Sequence, residues 1–216
     1  MKLGGYTINV MTTSFPQNVI SGFDKAFEGM VGAQYDMIAY LGSKIVNGTN
    51  HAFLAKQTLV TGTDISSIVF VILNEKLDDI AGNTFSIVSI EPLLSNGGKL
   101  GGLNINPTTN IPEDAMDVFK KHFEGFVGIN LEPFALLATQ MVNGGAYVFA
   151  VKANNIVSPK SPFANSKYIV LMKIYANYKD VETIEVINER GNESKLGYAF
   201  TWLKSKESIF GDIDWR

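Results

Sequence analysis

The chain contains no cysteine, only two histidines and two tryptophans among 216 residues, and little excess of either charge. Without cysteine there are no disulfides and no thiolate metal sites, which fits a reducing compartment or at least does not need an oxidising one. A formal net charge of −3 leaves no cationic surplus with which to grip a polyanion, so nucleic acid is not an expected partner. No apolar run approaches the roughly 18–20 residues that a spanning helix needs. The longest, residues 68–73 and 169–172, have strand length. The opening Met1-Lys2-Leu3-Gly4-Gly5 lacks the apolar core of a secretory signal, so a cytoplasmic protein without membrane contact is expected. The sequons at Asn47 and Asn192 matter only on a secreted path and read as chance.

What the chain does have is core material, 46% hydrophobic and 11% aromatic, and an internal repeat. Phe27-Glu28-Gly29-Met30-Val31-Gly32 returns as Phe123-Glu124-Gly125-Phe126-Val127-Gly128. At an offset of 96, residues 27–56 align without a gap to 123–152, and 12 of the 30 pairs are identical. Chance pairing at average residue usage gives about two. Lys2-Leu3-Gly4-Gly5 returns as Lys99-Leu100-Gly101-Gly102, and Lys-Leu-Gly a third time at Lys195-Leu196-Gly197. The expected organisation is unit 1 at 1–97 and unit 2 at 98–216, the second extended by an extra strand at 198–204.

Each unit carries the same pattern of elements. Residues 6–10 and 103–106 alternate as short strands. A helix follows, with capping-box spacing at Ser14/Gln17 and Asn110/Glu113 and with Pro16 and Pro112 in the first turn. Its apolar stripe is Val19, Ile20, Phe23, Phe27 and Met30 in unit 1, and Ala115, Met116, Phe119, Phe123 and Phe126 in unit 2. Gly29, Gly32, Gly125 and Gly128 supply stop signals. Four strands are then expected, at 35–46, 50–57, 67–74 and 84–90, and at 131–142, 146–153, 167–175 and 182–187. Asn47-Gly48 and Asn143-Gly144 between strand-like runs predict two-residue type I′ hairpin turns. The expected fold class is therefore α+β: two tandem units, each one helix packed on a four- to five-stranded antiparallel sheet, with an extra C-terminal strand. Both faces of the first long strand are apolar: Met37, Ala39, Leu41 and Ile45 by alternation on one, Ile38, Tyr40 and Val46 on the other. An antiparallel sheet with a solvated face alternates to polar, so the back of the sheet is expected to be covered by the other unit or by another chain.

This order of elements, together with Gln140-Met141-Val142-Asn143-Gly144 at the first hairpin of unit 2, resembles the cystatin family. Members of that family inhibit papain-like cysteine proteases with a sheet wrapped around one helix. Their Gln-x-Val-x-Gly is matched by Gln140, Val142 and Gly144; in unit 1 Lys44 replaces Gln, while Val46 and Gly48 remain. Gly4-Gly5 and Gly101-Gly102 stand where the family has its N-terminal glycine, and neither unit has the Pro-Trp of the second hairpin. The resemblance implies an apolar wedge that fills a protease cleft without offering a cleavable bond. The residues themselves say less, since Val-Asn-Gly is also ordinary hairpin chemistry.

The expected function is thus contact without catalysis. The site residues are the hairpin tips Val46, Asn47, Gly48, Gln140, Val142, Asn143 and Gly144; there are no catalytic residues, no metal and no cofactor. The partner is another protein, a papain-like cysteine protease in the sharper form, or a second copy of the chain. The competing expectation is an enzyme or small-ligand binder with a pocket between helix and sheet. His51 and His122 have no second histidine at metal spacing and read as surface or partly packed residues. Glu28 and Glu124 read as part of the glycine turns, Lys56 and Lys152 as solvated cations, and Gly97-Gly98 is followed by no Gly-Lys-Ser/Thr of a phosphate loop.

Overall fold

The computed structural model describes residues 5–60, 65–76, 84–96, 102–142, 144–156, 166–177 and 181–189. Two sheets are formed. The first consists of β1 (Thr7–Met11), β2 (Ala33–Val46), β3 (Gly48–Leu59), β4 (Ser66–Lys76) and β5 (Thr84–Ser95), in that spatial order. The second consists of β6 (Asn104–Thr108), β7 (Ile129–Gln140), β8 (Ala146–Asn155), β9 (Lys167–Tyr175) and β10 (Val181–Asn188), again in chain order. Every neighbouring pair is antiparallel. Two short helices, α1 (Gln17–Phe27) and α2 (Glu113–His122), each follow the first strand of a sheet. The extra strand expected at 198–204 lies outside the described residues.

The α+β expectation is overturned. Strand takes up 62% of the described residues and helix 13%, so this is a mostly antiparallel β protein. The reading by periodicity underestimated the strands and overextended the helices. β5 runs on through Pro92 to Ser95, where 84–90 was expected, because an edge strand tolerates proline. Met30 and Phe126 keep the helical spacing of the stripe but fall beyond the helix ends, and Met30 is exposed. The capping boxes do not form either. Pro16 and Pro112 are the N-cap residues, with no side-chain cap bond, and Ser14 takes a positive φ of 55°. The Pro16 carbonyl instead accepts from the amides of Val19 and Ile20.

The repeat is written into the ladder. β2 and β3 slip register between Met37/Ala39 and between Tyr40/Gly42; β7 and β8 slip between Pro133/Ala135 and Leu136/Ala138, the same places at an offset of 96. These bulges correct the simple alternation of the first long strand. The extra residue at Ile38 lets Ile38, Ala39 and Leu41 all join one face, while Met37 and Tyr40 lie with the helix on the other. A further slip recurs where Leu93 and Val186 are left unpaired, and both turn inward.

Three clusters then account for the packing. Ile38, Leu41, Leu54, Ile68 and Phe70 of the first sheet share one continuous core with Leu137, Val148, Ala150, Ile169 and Leu171 of the second. The two sheets therefore lie back to back, and the apolar second face of each is covered by the other half of the same chain. On the outer faces, Val19 and Phe23 of α1 pack with Phe53, Val69 and Leu73, and Ala115 and Phe119 of α2 pack with Phe149, Val151 and Met172. Gly22 lets α1 sit on the ring of Phe85 in β5, since a Cβ there would lie 2.5 Å from the ring atoms.

Candidate functional site: two apolar tips and a buried polar chain

The two hairpins proposed as contact sites are built differently, and neither carries the turn that the sequence predicts. In the first, Val46 pairs directly with Gly48 across the single residue Asn47. Asn47 does not have the positive φ that a type I′ turn requires at both central positions. Gly48, at φ 96°, is a ladder residue whose missing Cβ leaves room for the carbonyl oxygen of Glu75. Asn74 on β4 braces this tip, donating 2.7 Å to Asn50 Oδ1 and 3.4 Å to the Asn47 carbonyl.

In the second hairpin the ladder stops at Gln140–Ala146, so a five-residue loop, 141–145, spans the tip. The Gly145 amide donates to the Val142 carbonyl at 2.8 Å, and the Gly145 carbonyl accepts from Ala176 at 3.0 Å, which ties the loop to the end of β9. Gly144 and Gly145 have φ of 86° and 85°, and a Cβ on Gly144 would run into the side chain of Asn177. Asn143 lies outside the described residues.

Both tips present large apolar side chains to solvent. Ile45 is 72% exposed and Met141 95%, and Val46 and Val142 beside them are also exposed. Isolated exposed apolar residues are ordinary; adjacent pairs at the tips of two equivalent hairpins are less so. Of the expected site residues, the structure thus brings Val46 and Gly48 together at one tip, and Gln140, Val142 and Gly144 together at the other.

Aromatic rings pack between α1 and its sheet. Phe23 contacts the rings of Phe27 and Phe53 at centroid distances of 4.7 and 5.2 Å, and Phe27 stacks on Tyr35 at 4.3 Å. In the second half, Phe119 meets Phe149 and Phe123 at 5.2 and 4.9 Å.

One polar group was missed by sequence reasoning. His51, expected at the surface or partly packed, is buried between Tyr40, Glu75 and Phe85. Its Nε2 lies 2.8 Å from Glu75 Oε2 and its Nδ1 3.3 Å from the Tyr40 hydroxyl. Asn18 of α1 donates to the other Glu75 oxygen at 3.4 Å, and the Phe85 ring lies 5.9 Å away on the β5 side. Because a carboxylate only accepts, Nε2 carries the proton; Nδ1 of the neutral ring then accepts from Tyr40. Part of the signal was present in the repeat, and the strand register supplies the rest. At matching positions the second half has Leu136, Tyr147 and Ala176, so one half carries a polar chain where the other is apolar and phenolic.

Of the remaining candidates, Glu28 and Glu124 are exposed beside the glycine turns. Lys152 is not a free cation, since it pairs with Glu132 at 2.9 Å. Among the described residues no cluster of three or more metal-ligating side chains occurs, and no helix is long and apolar enough to cross a membrane. Comparison with protein-family models, curated proteins and solved structures finds no match.

Burial raises the Tyr40 phenol above its ordinary value of 10.0, and the Glu75 carboxylate adds to the rise while a hydrogen bond from Ser43 opposes it. Tyr6 is raised by burial and then by Glu91. A phenol that holds its proton more tightly when folded adds stability that is complete below pH 10 and is lost as pH climbs through the folded value. Thermal melts are therefore expected to show stability falling from about pH 10 upward. Tyr40→Phe should flatten that fall, and an unchanged slope in both Tyr40→Phe and Tyr6→Phe would contradict the assignment.

Proposed function

We propose that the chain is a non-enzymatic binding protein that works by contact through its hairpin tips, and that a papain-like cysteine protease is the partner its second tip fits. The observation that carries the reading is the loop 141–145, which holds Met141 almost fully in solvent beside Val142 and turns on two consecutive positive-φ glycines. An apolar side chain held out on a short, braced turn gains free energy when a partner's cleft removes it from water, at about 25 cal/mol per Å2. Bracing lowers the ordering cost of that docking. Gln140, Val142 and Gly144 at this tip are also the residues on which the resemblance to cystatins rests. The first tip has Lys44 in place of Gln and a one-residue bend, so it is the weaker candidate for a protease cleft. A cytoplasmic setting, without cofactor, nucleic acid or membrane, accompanies this reading.

The test is titration of papain with the purified chain. Inhibition at micromolar excess is expected, weakened at least tenfold by a paired Met141→Asp and Val142→Asp variant and unaffected by Ile45→Asp. Full papain activity under conditions where an established inhibitor works would remove the protease reading. Inhibition indifferent to the second tip would remove that tip as its agent.

A further inference from the structure

We infer that the Glu75–His51–Tyr40 chain is an acid-sensitive latch that holds α1 and the upper part of the β2–β3 hairpin on the first sheet, with no counterpart among the described residues of the second half. The inference is independent of what the tips bind. Glu75 is the pivot, since its two carboxylate oxygens serve different elements. Oε2 accepts from His51 on β3, and Oε1 accepts from Asn18 in the first turn of α1.

Three protonation states follow from donor and acceptor counting. With a neutral ring, Nε2–H donates to Glu75 and Nδ1 accepts from Tyr40. A first proton on Nδ1 turns that ring nitrogen into a donor. The Tyr40 hydroxyl oxygen then accepts from it, and the imidazolium stays paired with the carboxylate. A second proton, taken by Glu75, ends the arrangement. Whichever oxygen takes it, the carboxyl becomes neutral and an imidazolium only 6% exposed loses its counter-charge; a proton on Oε1 also removes the acceptor that Asn18 uses. Breaking one side of a buried ion pair is far more costly than never having had it. The first sheet therefore tolerates one proton and gives way at the second.

Among the described residues, the side chains that meet the His51 ring are Tyr40, Glu75 and Phe85, and of these only Glu75 carries a charge. From β2 the ring faces Tyr40, itself hydrogen-bonded to Ser43. From β4 it faces Glu75, from α1 Asn18 approaches through that carboxylate, and from β5 the neighbour is the Phe85 ring. The cation nearest along β2, Lys44, lies over the ring of Tyr6, 6.0 Å from its centroid. At the equivalent site of the second half, Leu136 and Tyr147 lie in an apolar cluster with Phe149 and Ile174.

Hydrogen exchange on the full chain, with protection factors corrected for intrinsic rates, tests this between about pH 7.5 and pH 4, the span over which imidazoles and carboxylates take up protons. Amides of 43–51 and of Val19 and Ile20 are expected to lose protection at least tenfold more than those of 139–147 and of Met116. The triple variant Tyr40→Leu, His51→Tyr, Glu75→Ala installs the second half's own residues and should abolish the difference. Should it not fold, Glu75→Ala provides the second arm. It removes both acceptor oxygens, so it should show the acid-like loss already at pH 7.5. Equal loss in the two halves of the native chain, a persisting difference in the triple variant, or native protection in Glu75→Ala at pH 7.5 would each overturn the latch.

Discussion

Leu54→Asp is expected to abolish the native fold of the whole chain and not of the first half alone. Leu54 is fully buried in the core that the two sheets share, opposite Ala39 on β2 and Phe70 on β4. Deleting a buried leucine costs about 2–5 kcal/mol. A carboxylate placed there has no cationic partner and either ionises in a dry core or takes up a proton, and each outcome adds several kcal/mol more. The sum is comparable to the roughly 5–15 kcal/mol that separates folded from unfolded in a typical domain. Near-ultraviolet circular dichroism and methyl dispersion should collapse together, including signals from Phe149 and Met172 in the second half. The control is Ile45→Asp at the exposed tip, which should stay within about 0.5 kcal/mol of the native protein. A Leu54→Asp protein whose second half kept native signals would show that the halves are independent.

The next largest effects are expected at the centres of the two outer clusters. Phe23→Ala and Phe119→Ala should each cost about 3–5 kcal/mol in urea denaturation, as each removes a buried aromatic that its surroundings cannot refill. Phe23 is 2% exposed and Phe119 4%, and each has two aromatic neighbours within about 5 Å. Both should lower one cooperative transition, because the clusters they damage rest on sheets that stabilise each other. A loss under about 1 kcal/mol would place these rings in solvent. Two separate transitions, each sensitive to one variant, would place the halves apart.

Much of the architecture was legible because the repeat and the apolar runs are local features. The recurrence of Phe-Glu-Gly-x-Val-Gly and the Asn-Gly pairs placed the same elements twice, and the apolar character of both faces of 35–46 showed that neither could meet water. What escaped depends on register. The bulge at Ile38, which puts it on the same face as Ala39 and Leu41, cannot be seen in a strand read by period two. Met30 kept the helical period, yet a positive-φ glycine at Gly29 had already ended the helix. Gly48 looked like half of a turn, but it is required by a neighbouring strand, since the backbone of Glu75 passes where its Cβ would stand. The class was misjudged for a related reason. Two conspicuous helical stripes drew attention from strands that run to 14 residues in β2 and 12 in β3 and β5.

The site was legible at its tips and opaque beneath them. The grouping of Gln140, Val142 and Gly144 at one tip follows from the motif, while the exposed Met141 and the five-residue loop do not. The meeting of Tyr40, His51 and Glu75 does not, because it requires β2, β3 and β4 to be in register and α1 to be laid across them. The offset of 96 held part of the clue, setting Tyr40 and His51 against Leu136 and Tyr147; the match of Glu75 to Ala176 needs the strand register.

The account rests on two sheets packed back to back within one chain. Methyl–methyl nuclear Overhauser contacts in selectively labelled protein test it most directly. Leu41, Leu54 and Ile68 should show cross-peaks to Leu137, Ile169 and Leu171 that are insensitive to protein concentration, as expected for residues sharing one buried core. Cross-peaks confined within each set of three, or present only between differently labelled copies in a mixed sample, would contradict it.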